Sequence, residues 1–272
     1  ARVPPPPLVS AMAEDFAPPK LADLFHNGRS VVEYWTEWLN ESNPWREALV
    51  DGDHTVEFRV LLFLAMFLIL HAVMLKLRPT VGEPLASRPT LIANQIHCST
   101  TSVLATYLLW NNWSDGKMED FVLWQQFGIP LSLAYFMADI LWYCIPSGDG
   151  LILFHHITML LCHYPVSSDV GAKMCGAGNA LWTVRLSMMG YLCELSNPLM
   201  NWRWWLLQTL EKDRFDFALV NIILVFSFIG RTFLLGWLLI GVLVPRAAEF
   251  VEAKQVFVYT LCILGHAVIL LL

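Results

Sequence analysis

In this chain of 272 residues, 56% are hydrophobic and only 15% are charged, with a mean hydropathy of +0.52; soluble domains carry about a quarter charged residues, so an ordinary water-soluble fold is excluded. The net charge is −6, and no basic stripe, Gly-rich phosphate loop or C-x-x-C pair occurs. Nucleic-acid and phosphate-loop functions are therefore set aside, and neither a metal site nor a bound cofactor is expected. What remains is an all-α, multi-pass membrane helical bundle.

Residues 1–57 form a region of their own. They hold ten acidic side chains against four basic ones, which accounts for the entire net charge and leaves the rest of the chain neutral. The stretches RVPPPPL and APPK cannot continue a helix and read as extended linker. After them, SVVEYWTEWLNESNPW spaces Trp35, Trp38 and Trp45 in a way that suits either a short interfacial helix or a solvated tail that docks on other membrane protein subunits. Because the chain opens on Ala1 rather than Met, removal of a leader before it stays open.

Apolar windows able to cross a hydrocarbon core of about 30 Å then recur at Phe58–Lys76, Leu91–Trp110, Phe121–Ile145, Leu151–Ser167, Gly171–Cys193, Asp216–Val244 and Val251–Leu272. These predict seven spans. The first, sixth and seventh are rich in Leu, Ile, Val and Phe, whereas the second, fourth and fifth carry Asn, Gln, His, Ser, Thr and Arg. Lipid offers such groups no partners, so the polar helices are expected to face one another around an enclosed cavity. Six Lys and Arg residues fall in loops opposite the N-terminus and four on its own side, which favours a lumenal N-terminus. The Asn-x-Ser triplets at Asn40 and Asn112 fall on that same side. The six cysteines lie scattered in the apolar windows and read as buried free thiols.

Helical spacing then groups the polar residues. On the second window, Asn94, His97, Cys98 and Thr101 form one stripe. On the third, Asp139 stands one turn from Tyr135. The fourth holds His155 and His156, with His163 a heptad after the latter, and only CIPSGDG separates it from the third, so these two are antiparallel neighbours. The fifth aligns Asn179, Thr183, Ser187, Gly190 and Glu194. The sixth buries Arg231, whose natural counter-ions are Asp139 and Glu194. Histidines here suit general acid-base or nucleophilic chemistry near neutral pH, and Asp139 could orient one imidazole. The same rings also read as paired polar groups that hold a bundle together.

The segments YFMAD (135–139), ILFHHITML (152–160), YLCELSNPLMNWRWW (191–205) and FSFIGRTF (226–233) resemble the TLC domain, named for the TRAM, Lag and CLN families, over residues 88–272. The resemblance implies a six-helix barrel around a lipid cavity, with the helix at 58–76 outside it. It also implies residence in the endoplasmic reticulum, an organellar inner membrane being the alternative. Ceramide synthases, its best-known enzymes, transfer an acyl group from acyl-CoA to a sphingoid amine; by that likeness acyl-CoA would be the co-substrate. His155, His156 and Asp139 would be catalytic, with Asn94, His97, Asn179, Thr183, Glu194 and Arg231 lining the lipid cavity. The chain departs from those enzymes at 171–196, where Asn179 and Glu194 occur but their His-Asp pair followed by another Asp does not. Two functions stand: a lipid-handling protein, enzymatic or not, and a non-catalytic accessory subunit docked through residues 1–57.

Overall fold

The computed structural model describes residues 53–77, 90–112, 116–168, 181–209 and 212–248, with 260, 263–264 and 267. All regular structure among the described residues is helical. Residues 1–52 of the acidic N-terminal region, with its tryptophans, Asn179, and nearly all of the last expected span lie outside them.

Helix α1, Thr55–Leu77, begins three residues before the expected window. Asp53 explains the early start: its Oδ1 accepts from the Thr55 backbone N–H at 2.9 Å and from the Thr55 hydroxyl at 2.6 Å. Those hydrogen bonds hold the Asp53 carboxyl below the usual carboxylate range. The helix buries a narrow seam, Val56, Val60, Phe67 and Met74, and turns Phe58, Leu61, Leu62 and Ile69 outward. An apolar helix with so thin a buried stripe has lipid as the natural solvent of its other faces.

Helix α2, Leu91–Asn111, is polar yet buries His97, Cys98, Thr101 and Ser102. Much of that polarity is satisfied internally, since the Thr101 hydroxyl donates to the His97 carbonyl at 2.8 Å and Thr106 to the Ser102 carbonyl at 2.7 Å. Helix α3 runs over Glu119–Ser147 and contains two wide turns, Trp124–Gly128 and Ile140–Cys144, around an α segment at Ile129–Asp139. The first wide turn also docks α1: Arg59 donates to the Gln126 carbonyl at 2.8 Å and to its side-chain Oε1 at 3.0 Å. Gly148, with φ of +69°, makes the turn into α4, Gly150–Ser167, whose first turn is capped by Asp149 accepting from the Ile152 N–H. The short link makes α3 and α4 packed neighbours, as its length predicts.

Helix α5, Leu181–Tyr191, passes through a tight turn at Leu192–Leu195 into α6, Ser196–Gln208. Helix α7, Phe215–Arg246, follows. In the sequence, residues 196–208 follow the expected fifth window, with NWRWW (201–205) suited to a belt at a helix end; the structure gives them a helix that packs on α2 and α7.

Among the described residues three helices, α1, α3 and α7, are long and apolar enough to cross a membrane. Their burial separates their roles: 67% of the most apolar stretch of α3 is inside the protein, against 17% for α1 and for α7. Helix α3 is therefore the central post, contacted by α1, α2 and α4, while α1 and α7 present apolar surface outward. Trp124 and Tyr191, both fully buried, meet edge to face at 5.0 Å and tie α3 to α5. Such a pair contributes about 0.5–1.5 kcal/mol beyond its buried area.

Candidate functional site: a polar cavity between helices

Polar side chains from five helices converge on a cavity of about 290 Å³. Helix α3 supplies Tyr135 and Asp139, α4 supplies His155 and His156, and α2 supplies Asn94. The turn after α5 contributes Glu194, while α6 adds Asn197 and Asn201 and α7 brings Arg231. Residues separated by more than ninety positions in the sequence thus share one small space.

The histidine pair sits at one end. His156 Nδ1 lies 3.5 Å from Asp139 Oδ2 and 3.6 Å from the Cys144 sulfur. His155, one position round the helix, also lines the cavity; its buried Nδ1 meets no hydrogen-bond partner among the described residues. A buried ring nitrogen left without a partner is costly, so the position suits a group that bonds to something entering the cavity.

The opposite wall is a chain of amides. Asn94 donates to the Tyr135 hydroxyl at 2.8 Å and accepts from Asn201 at 2.8 Å, and Asn201 also donates to the Gln95 side-chain Oε1 at 2.9 Å. Glu194 accepts from the Cys98 thiol at 3.2 Å and from the Asn197 amide. Arg231 lines the same space as Asp139 and Glu194, so both signs of charge face one interior.

Of the residues singled out by sequence, Asn94, Asp139, His155, His156, Glu194 and Arg231 meet here. His97 stands one layer behind, stacked on Tyr135 at 4.1 Å with Nε2 3.1 Å from the Ser132 hydroxyl oxygen. Thr183 is on α5, half-buried and away from the cavity lining, and Asn179 lies outside the described residues. His163 bonds by Nδ1 to the Met159 carbonyl of its own helix at 2.8 Å, and Ser187 accepts from the Trp124 indole at 3.2 Å. Both serve packing. Sequence reading passed over Asn197 and Asn201. Their spacing from Glu194, three and then four residues, is one helical face, and it was the signal available.

Compared with known proteins, the chain matches no family model, no curated protein and no solved structure.

Proposed function

We propose that this is a multi-pass membrane protein of the TLC type, seven spans of which the second to seventh enclose a polar cavity, that takes the reactive end of a long-chain lipid between α3 and α4 and transfers an acyl group to an amine. The reading is supported above all by one observation: His155, with an unpartnered buried nitrogen, shares an interior cavity with two carboxylates and an arginine. At about 290 Å³ the space is at the small end of ligand pockets, so it suits a head group or carbonyl with the first part of a chain. The rest of the chain would leave past Ile152, Met200 and Phe228, the apolar part of the lining, toward lipid.

In this reading His155 takes the proton of the amine as its nitrogen attacks the acyl carbonyl of acyl-CoA. The carbon–sulfur bond breaks, and the same imidazole returns the proton to the departing thiolate. Asp139 and His156 form the polar end wall behind it, and Asn94 with Tyr135 offers donors to a carbonyl oxygen.

Purified protein given long-chain acyl-CoA and a long-chain amine should form the amide, with His155→Ala slower by about 10²–10⁴-fold, the usual worth of a positioned acid-base group. The His155→Ala chain should remain monodisperse in detergent. If no acyl-CoA of any chain length is used, or if His155→Ala transfers as fast as the parent, the reading is wrong.

A further inference from the structure

The cavity's end wall holds an arrangement that acyl transfer does not need. Asp139 Oδ2, Cys144 Sγ and His156 Nδ1 form a triangle with edges of 3.5, 3.6 and 3.9 Å, and all three residues are buried. We propose that this triangle is a binding site for a divalent cation of the zinc type, with a fourth position open to the cavity.

The spacing is the first argument. With metal–nitrogen and metal–oxygen bonds of about 2.0–2.2 Å and a metal–sulfur bond of about 2.3 Å, a tetrahedral site has ligand–ligand edges of about 3.4–3.6 Å. Two of the three edges match that range, and the third closes with a shift of a few tenths of an ångström. As a hydrogen bond the imidazole–carboxylate contact is long: a charge-assisted bond of that kind runs about 2.7–2.9 Å, well short of the 3.5 Å seen here.

Backbone geometry is the second. Cys144 follows Asp139 by five residues, and on an ordinary α-helix those side chains would stand about 140° apart. The wide turn Ile140–Cys144, in which the Ile145 N–H reaches back to the Ile140 carbonyl, brings the thiol under the carboxylate. Such turns inside α-helices recur at functional sites. The loop with Gly148 then folds α4 back so that His156 completes the set.

Charge is the third. A carboxylate and a thiolate offset the two charges of the cation, and a neutral imidazole adds none, so the filled site is neutral inside an apolar bundle. Binding exchanges the thiol proton for the metal: the S–H bond breaks, a metal–sulfur bond forms, and the proton leaves through the cavity to solvent. A thiolate, imidazole and carboxylate set favours zinc or cobalt over magnesium or calcium. Asp139 and His156 line the cavity while Cys144 does not. The vacant coordination position therefore faces the cavity, where a carbonyl oxygen or water could be polarised a short way from His155.

The site goes beyond the acyl-transfer reading, because metal binding is measured with no lipid present and either can fail alone. The full chain, purified in detergent and stripped by chelator, is titrated with cobalt(II) alone. One equivalent should produce a thiolate-to-cobalt charge-transfer band that zinc displaces. Cys144→Ser should abolish the band, and His156→Asn should weaken cobalt binding by more than about 100-fold, since even loss of an outer-shell partner costs 10–100-fold. Cys193→Ser should keep both band and affinity. Far-ultraviolet circular dichroism and elution volume check that each variant is folded. Absence of any band in the folded parent overturns the proposal. So does a band that survives Cys144→Ser and disappears in Cys98→Ser, which would place the metal at His97, Cys98 and Glu194, the other cluster of ligand-type side chains among the described residues.

Discussion

Asn94 is the residue through which most of the cavity's amide wall is held, since it bonds at once to Tyr135 and to Asn201. Replacing it with leucine takes the Asn94 donor from the Tyr135 phenol and leaves the Asn201 amide with its bond to Gln95 alone. Asn94→Leu should lower stability by about 1–2 kcal/mol, near the upper range of interhelical hydrogen bonds in membrane proteins, read as a drop in unfolding temperature in detergent. A double-mutant cycle of Asn94→Ala with Asn201→Ala should show a coupling of about 0.6 kcal/mol, the average for such bonds. Additivity of the two would mean the bond carries nothing. This wall was half legible in the sequence. Asn94 stands out in an apolar window, but the partner on α6 does not, because residues 196–208 carry Trp, Arg and Asn in no clean apolar rhythm and read as a helix end.

Among the elements, α1 and α3 define the mechanical frame. Phe67 of α1 is fully buried and meets Tyr135 of α3 edge to face at 5.8 Å, so the seam of α1 passes directly behind the cavity wall. Phe58 on the same helix is 68% exposed. Phe67→Ala should therefore cost about 3–5 kcal/mol, as for buried aromatic truncations, while Phe58→Ala stays within about 0.5 kcal/mol. Thermal unfolding of the two variants in one detergent checks the order, and equal losses would put α1 outside the packed frame. Helix existence was readable for α1, α3 and α7 because a long apolar run has few alternatives. The wide turns of α3 were not readable. A wide turn changes the helical pitch by one residue without a change in composition, so no local residue pattern announces it.

At the scale of the whole chain, the neutral helical part and the acidic region before it are separable in composition. Among the described residues, the hydrogen bonds begin at Asp53 and the apolar core at Val56. Deleting residues 1–52 should leave the unfolding temperature of the helical part unchanged within about 2 °C, the shift that corresponds to about 1 kcal/mol for a chain of this size. If the acidic region docks on other subunits, the truncated chain should also lose partners that co-purify with the full chain. Retention of the same partners in the same ratio would remove the accessory-subunit function. The cavity's overall composition was legible in the sequence, since six of the nine residues expected there line it or stand at its end wall. Its depth was not, because the loop between α3 and α4 leaves open how Asp139 stands against the histidines.

A wide turn is an α-helix that carries one residue in surplus. At Ile140–Cys144 that surplus lies between Asp139 and Cys144, so loss of one of Leu141, Trp142 or Tyr143 would return the segment to ordinary pitch and leave the two side chains four apart on one face. The same loss within Ile129–Asp139 would instead swing Tyr135 or Asp139 about 100° away from the cavity. Insertions and deletions in this helix are thus unequal events. The chain can change length at its wide turns while its chemistry stays in register, and nowhere else along α3 has it that latitude.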